Sequence, residues 1–180
     1  MMHAGRGLPN LIGWPNKPDV LPPHGRDNRI DRTIIMRIGL TGGIAAGKSA
    51  AADYLRTLGA FVIDYDALAR RIVSPGGAAL PAIVREFGKK ALNSDGTLNR
   101  SWIAEQVFGR DAKPGMRERL DGIEHPLIYE EARKEEQCAA ANGISREPLI
   151  VHDVPLLAEV IDTIPFTFDH ILTVEAPEED

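Results

Sequence analysis

The sequence has a single cysteine, no surplus of positive charge and no long hydrophobic run. Cys138 on its own cannot form an internal disulfide and suits a reducing compartment, and we expect it to be a small apolar residue near the end of a helix. The net charge of −5 provides no general attraction to nucleic acid or anionic lipid. No apolar stretch is long enough to cross a bilayer. We therefore predict a cytoplasmic protein, a monomer or weak oligomer, with neither nucleic acid nor membrane as a partner.

What the sequence does contain is the composition of an ordinary globular domain. Of its 180 residues, 43% are hydrophobic and 26% are charged, which is enough for one core with a small inserted lobe. Residues 1–33 differ, because they collect prolines and glycines with little apolar periodicity, and we predict that they form a disordered extension. Met36 lies at the start of the first predicted strand, and we interpret it as a candidate natural start.

The octapeptide from Gly42 to Ser49 matches the phosphate-binding pattern G-x-x-x-x-G-K-[ST] at every fixed position. In this pattern two glycines bracket a turn whose N–H groups point at phosphate oxygens, while the lysine reaches the terminal phosphates and the hydroxyl ligates Mg²⁺. A nucleoside triphosphate with Mg²⁺ is therefore the predicted ligand. The predicted nucleotide-binding residues are Gly42, Gly43, Ile44, Ala45, Ala46, Gly47, Lys48, Ser49 and Ala50.

The apolar runs around this loop predict an α/β fold. The predicted strands are residues 34–40, 60–64, 148–153 and 169–174. Strands separated by helical connections form parallel sheets with helices on both faces, so we predict a three-layer P-loop NTPase fold for residues 34–180. The helical stretch over about residues 67–142 is too long for a simple crossover, and it predicts an inserted helical substrate lobe.

Three aspartates follow predicted strands, on the side of a parallel sheet where ligands bind. Asp64 and Asp66 lie two residues apart, so in an extended segment their side chains point the same way. Asp66 is a candidate base that orients an acceptor hydroxyl and takes its proton, and equally a candidate N-cap of a helix over residues 67–74. Asp153 is a candidate Mg²⁺ ligand, and equally a cap of the turn that follows it.

The histidines and arginines indicate less by their pattern alone. His125 and His152 have no partner at zinc-ligand spacing, so we do not interpret either as a metal ligand. Arg70 and Arg71 follow Asp66 on one predicted helix. One of these arginines can face an anionic substrate while the other faces solvent.

Several short motifs along the chain together resemble the dephospho-CoA kinase family. The resemblance extends over about residues 36–175, with the motifs in the family's order and spacing. Each motif is weak alone, but their combination is specific. The motifs are Leu40-Thr41-Gly42-Gly43-Ile44 with Gly47-Lys48-Ser49, Val62-Ile63-Asp64-Tyr65-Asp66 with Ala69-Arg70, His125-Pro126-Leu127-Ile128, and Val154-Pro155-Leu156-Leu157 with Glu159.

The resemblance implies transfer of the γ-phosphoryl of ATP to the ribose 3′-hydroxyl of dephospho-CoA, the last step of coenzyme A synthesis. It implies that Asp66 is the general base, that Lys48 stabilises the transferring phosphoryl and that Ser49 holds Mg²⁺. Asp153 stays the candidate second Mg²⁺ ligand on the strength of its position after a strand. The helical insertion is then the lobe that receives dephospho-CoA. The substrate-binding residues implied are Asp64, Asp66, Arg70, His125, Pro155 and Leu156.

The chain also departs from the family pattern. Ala45 and Ala46 stand where the family usually has Gly or Ser, so the loop has to adopt a conformation that tolerates a Cβ. Family members continue beyond the fourth strand into a lid helix with a catalytic arginine, whereas this sequence ends at Asp180. We therefore expect a C-terminally incomplete chain that binds nucleotide weakly and transfers phosphate poorly.

Two other functions are compatible with the same motifs. The first is another small-molecule kinase of this fold, acting on a nucleoside or a nucleotide. The second is a lid-less, non-catalytic nucleotide-binding module. A screen of acceptors separates the first from a dephospho-CoA kinase, and Asp66→Asn separates the second from any kinase, because only a kinase needs the base.

Overall fold

The computed structural model describes residues 35–43, 45–141 and 148–176. The predicted extension over residues 1–33, the predicted loop residue Ile44 and the end of the predicted lobe at residue 142 lie outside the described residues. Within the described part, no helix has both the length and the hydropathy that crossing a membrane requires.

Four parallel strands form one sheet. They are β1 (Met36–Gly42), β2 (Phe61–Asp64), β3 (Leu149–Asp153) and β4 (His170–Val174). Their order is β2-β3-β1-β4, and every neighbouring pair is parallel. The predicted α/β class and parallel sheet are confirmed. β1 lies two residues later than predicted because Thr41 and Gly42 still pair with the end of β4.

The helices alternate with the strands along the chain. They are α1 (Lys48–Thr57), α2 (Tyr65–Ile72), α3 (Leu80–Phe87), α4 (Arg100–Phe108), α5 (Met116–Ala141) and α6 (Leu157–Val160). A short 3₁₀ turn, Lys89–Ala91, separates α3 from α4. Helices α2 to α5 all lie between β2 and β3 in the chain, where the helical insertion is predicted.

β3, the strand between β2 and β1, is buried on both faces, as the alternation along it makes clear. Val151 is fully buried against Ile38 of β1 and Ala52 of α1. Its neighbour Ile150, also fully buried, belongs to a larger cluster that includes residues of α2 and α5, such as Leu68. Adjacent residues of a strand point to opposite faces, so α1 covers one face and the helical insertion covers the other. The result is the predicted three-layer arrangement.

The longest helix, α5, packs along α2 although it contains Pro126 in its interior. Ala132 and Ala139 of α5 are buried, and their small side chains let the helix approach its neighbours closely. Cys138 lies in this helix as predicted, but it is exposed and does not pack as an apolar residue. Successive helical positions are about 100° apart, which turns Cys138 away from the contact that Ala139 makes.

A buried carboxylate joins α5 to the sheet. Glu136 is only 5% exposed and accepts hydrogen bonds from Arg37 of β1, with Nε at 2.5 Å and Nη2 at 3.1 Å. Its Oε1 also lies 3.4 Å from Nε2 of His152, which is completely buried on β3. Burial opposes ionisation of Glu136, but the hydrogen bonds from His152 and Arg37 outweigh it and lower the pKa of Glu136 to about 2.

Glu136 should make the protein less stable in acid. Its pKa is about 2 in the folded chain against an ordinary value of 4.5. The free energy of unfolding therefore contains a contribution of a few kcal/mol that is complete above the ordinary pKa and is lost as the pH falls towards the folded one. Because Glu136→Gln removes the titrating group, the stability difference between wild type and variant should shrink between about pH 5 and about pH 3.

Denaturant unfolding at each pH measures this difference. Glu130→Gln is the matched control, because Glu130 is exposed on the same helix and its loss should change stability far less at every pH. A difference between wild type and Glu136→Gln that stays constant across the range would contradict the account.

Candidate functional site

The phosphate loop connects the end of β1 to the start of α1. A Cβ added at Gly42 would lie 2.5 Å from the carbonyl oxygen of Val174, so β4 approaches too closely for any side chain at this position. Gly47 has a φ of 93°, in the left-handed region, and directly precedes α1. Since Gly47 has no side chain with which to cap α1, the N–H groups of the first helical turn are left for a phosphate.

The alanines of the loop are accommodated by its conformation. Ala45 has a φ of 61°, also left-handed, which costs a residue with a Cβ about 1 kcal/mol. The N–H of Ala46 donates to the carbonyl oxygen of Gly43 at 3.2 Å and closes the turn. Of the two loop alanines, Ala45 therefore occupies a backbone conformation that glycine adopts without this cost.

Lys48, the first residue of α1, forms an ion pair with Asp153 at the end of β3. Both side chains are largely buried. The two candidate roles for Asp153 were a metal ligand and a turn cap, and the contact with the lysine is a third role that the sequence pattern did not indicate. Lys48 and Asp153 are 105 positions apart in the sequence, so no local spacing predicts that they pair.

Three carboxylates gather at this edge of the sheet. Asp64 of β2 is the direct strand partner of Asp153, and Asp66 follows in the first turn of α2. Burial raises the pKa of Asp153 and the nearby carboxylates of Asp64 and Asp66 raise it further, although the ammonium of Lys48 opposes the change. The predicted clustering of acidic side chains at the carboxyl ends of the strands is therefore present.

The two aspartates after β2 do not have the geometry that the sequence suggested. Asp64 is the N-cap of α2, because its Oδ1 accepts a hydrogen bond from the N–H of Ala67 at 2.9 Å. Asp66 is not the cap: it lies inside the helix, which begins at Tyr65 rather than at residue 67. The chain turns from strand to helix between the two carboxylates, so they are not an extended i, i+2 pair. Capping by Asp64 leaves the exposed Asp66 side chain free for another role.

The oxygen atoms at this edge suit Mg²⁺, which prefers hard oxygen ligands and usually takes only one or two from the protein. Ser49 is exposed in the first turn of α1, beside the lysine that contacts Asp153. Across residues 35–43, 45–141 and 148–176, no group of three or more His, Cys, Asp or Glu side chains has metal-binding geometry. A magnesium ion would therefore take most of its ligands from phosphate and water.

The arginines that follow Asp66 differ in their surroundings. Arg71 binds Glu131 at 3.0 Å and Glu135 at 2.9 Å, and so joins α2 to α5. Arg70 is exposed. Of the two arginines, the structure therefore gives Arg71 a role in joining the helices and leaves Arg70 as the candidate for an anionic ligand.

His125 lies on α5, away from the sheet edge but connected to it by aromatic contacts. Its ring packs against Tyr129 at a centroid distance of 5.8 Å, and Tyr129 packs against Tyr65 at 6.5 Å. Next to His125, Glu124 was missed by sequence reasoning. Burial, with a smaller effect of Asp121, raises the pKa of Glu124 to about 7. Only the tertiary fold buries this glutamate, so no motif could have revealed it.

Pro155 and Leu156 follow β3 at the same edge as the loop and the aspartates. Leu156 has a φ of 52°, which is left-handed, and its side chain is 57% exposed. A bulky residue in this backbone region is strained, and its exposure means that no packing compensates the strain. A strained and exposed residue of this kind is typical of one retained for contact with a ligand. Substrate binding by Pro155 and Leu156 stays a prediction.

Comparison with known proteins agrees with the motifs. A family model described as dephospho-CoA kinase matches residues 36–180. The chain belongs to the dephospho-CoA kinase family. A dephospho-CoA kinase of Bifidobacterium longum is 65% identical over 143 residues, 79% of this chain and 67% of that protein. The dephospho-CoA kinase of Frankia casuarinae is 44% identical over 142 residues and that of Anaeromyxobacter dehalogenans 46% over 142 residues.

The chain spans 58% of the Frankia kinase and 64% of the Anaeromyxobacter kinase, so it is shorter than the curated kinases it matches. Among solved structures, TT1252 from Thermus thermophilus superposes with a TM-score of 0.58 at 28% identity, covering 80% of this chain and 67% of that one. A dephospho-CoA kinase from Campylobacter jejuni superposes with a TM-score of 0.53 over 77% of this chain and 88% of that one. At 17% identity, the second likeness concerns the fold alone.

The strained backbone of Leu156 can be tested without any ligand. Leu156→Gly should leave the free energy of unfolding unchanged or raise it by up to about 1 kcal/mol, because relief of the left-handed strain offsets the flexibility of glycine. Leu156→Ile should lower it by about 1–2 kcal/mol, since a β-branched residue fits this region worst. Denaturant unfolding measures both variants, and an equal loss of stability in both would refute the strain.

Proposed function

We propose that this chain supplies the ATP site and the acceptor site of an enzyme that phosphorylates the ribose 3′-hydroxyl of dephospho-CoA, yielding coenzyme A and ADP. One observation carries the proposal. The phosphate loop and the carboxylate of Asp66 lie at the same edge of the sheet, with the Lys48–Asp153 pair between them. A kinase needs this juxtaposition of donor and acceptor groups, whereas a module that only binds nucleotide does not.

Asp66 is the general base of the proposed reaction. Its carboxylate accepts the proton of the 3′-hydroxyl as the ribose oxygen attacks the γ-phosphorus of ATP. The bond from the γ-phosphorus to the bridging oxygen breaks, and ADP leaves with the electron pair. Asp64 supports this role indirectly, because by capping α2 it fixes the turn on which Asp66 lies.

Lys48 and Ser49 serve the donor side. Lys48 exchanges the carboxylate of Asp153 for phosphate oxygens when ATP binds, and it then offsets the negative charge that the transferring group carries. The N–H groups of residues 45–50 donate hydrogen bonds to the phosphate oxygens. Ser49, with Asp153, would hold the Mg²⁺ that neutralises phosphate charge once it is bound.

The helical insertion over α2 to α5 is the proposed acceptor lobe. Arg70 faces an anionic group of dephospho-CoA, and His125 lines the lobe on α5. Leu156, exposed beside Pro155 at the sheet edge, contributes apolar contact to the same substrate. Glu124 adds a group that titrates near neutral pH next to His125. Mg²⁺ as cofactor, action as a monomer or weak oligomer, and a cytoplasmic location belong to the same proposal.

Asp66→Asn tests the catalytic assignment. The variant keeps the size and polarity of the side chain but loses the basic oxygen, so kcat should fall by about 10² to 10⁴. The dissociation constant for ATP should stay within about twofold of wild type, because Asp66 does not contact the donor. Turnover is measured with ATP, Mg²⁺ and dephospho-CoA, and ATP affinity by calorimetry.

Asp53→Asn is the matched control, because Asp53 is an exposed aspartate of α1 whose partner is Arg56 on the same helix. It should leave kcat unchanged. If Asp66→Asn keeps wild-type turnover, Asp66 is not the base. If nucleosides or other nucleotides replace dephospho-CoA as the preferred acceptor, the chain belongs to a kinase with another substrate.

A further inference from the structure

Three buried polar side chains and the half-buried Arg37 form a hydrogen-bonded series next to the site. His152, completely buried on β3, has Nδ1 at 3.0 Å from the hydroxyl of Tyr65 and Nε2 at 3.4 Å from Oε1 of Glu136. Glu136 in turn is held by Arg37. The four side chains come from α2, β3, α5 and β1, so this hydrogen-bonded series joins the helical insertion to the centre of the sheet.

The ionisation of Glu136 fixes the direction of its hydrogen bond with His152. The carboxylate of Glu136 is ionised and can only accept, so Nε2 of His152 carries the proton and donates to it. On the other side of the ring, Nδ1 lies within hydrogen-bond distance of the hydroxyl of Tyr65, at 3.0 Å. Burial, above all, raises the pKa of Tyr65 and keeps its hydroxyl protonated.

Tyr65 lies between the two aspartates of the site. It is the first residue of α2, after the N-cap Asp64 and before Asp66, and it is only 5% exposed. On the other side, His152 directly precedes Asp153, the partner of Lys48. Two adjacent residues of β3 thus contact both halves of the site, with His152 reaching the acceptor side and Asp153 the donor side.

We propose that Tyr65 is a positioning residue for the acceptor side: its hydrogen bond to His152 fixes the first turn of α2 and so orients Asp66 relative to Lys48 and Asp153. The role rests on the proposed function of Asp66. Tyr65 itself does not contact the reacting atoms. Because the hydroxyl is anchored to β3, a shift of the start of α2 is resisted at the buried side of the helix, while the cap by Asp64 resists it at the exposed side.

Tyr65→Phe tests the role, because it removes the hydroxyl and keeps the ring in the core. We expect kcat to fall about tenfold, as for other residues that orient a catalytic group, with KM for ATP and for dephospho-CoA within about twofold of wild type. The matched control is Tyr129→Phe. Tyr129 packs against Tyr65, and its buried hydroxyl has no hydrogen-bond partner within the described part of the chain, so its loss should leave kcat unchanged.

A merely structural role is distinguished by repeating the change in the Asp66→Asn background. If Tyr65 acts by orienting Asp66, Tyr65→Phe has no further effect on the residual turnover there. If Tyr65 only supports the fold, Tyr65→Phe lowers turnover by the same factor in both backgrounds, and the positioning role is overturned. Unchanged kcat in Tyr65→Phe alone overturns it as well.

Amide hydrogen exchange gives a second readout that is independent of turnover. In the full chain without ligand, the amides of Ala67 and Leu68 in the first turn of α2 should exchange about tenfold faster in Tyr65→Phe and at the wild-type rate in Tyr129→Phe. Unchanged protection in Tyr65→Phe refutes the anchoring of the turn. If Asp66→Asn itself keeps full turnover, the proposed function fails, whereas a loss in Asp66→Asn without one in Tyr65→Phe refutes only the inference about Tyr65.

Discussion

The parallel alignment of the four strands is the constraint on which the site depends. Because β1, β2 and β3 run in the same direction, their carboxyl ends meet at one edge of the sheet. The phosphate loop leaves from the first of these ends, Asp64 from the second and Asp153 from the third. Groups that are more than a hundred residues apart in the chain thereby become neighbours, and an antiparallel partner at any of the three positions would have sent its side chains to the opposite edge.

The strand that carries the polar side chains of this edge, β3, is buried on both faces. β3 is the strand between the other two, and it contributes an apolar residue to each face before it ends in His152 and Asp153. Each of these polar side chains has a charged or polar partner. His152 contacts Glu136 and Tyr65, and Asp153 contacts Lys48. Such pairing is what a buried ionisable group requires, and it links the site to the helical insertion at the same time.

Much of this arrangement could be predicted from local patterns. The loop, the four strands and the helical stretch after β2 follow from fixed spacings and apolar runs, and the predicted strands differ from the observed ones by two residues or fewer. The identity of the helix cap could not be predicted, because Asp64 and Asp66 are both good N-cap residues and only the point at which the strand ends decides between them. The exposure of Cys138 was likewise missed, since a helix in an alanine-rich segment gives no indication of which side faces the core.

By itself, then, the sequence determined the phosphate loop, the α/β class and the family, because each depends on residues close together in the chain or on motifs in a set order. The tertiary structure alone decided the partners: Lys48 with Asp153, Arg71 with α5, and the hydrogen-bonded series from Arg37 to Tyr65. The physical reason is that pairing of charges and hydrogen-bonding groups depends on distance in space and on the exclusion of water, and both arise only when strands from distant parts of the chain align.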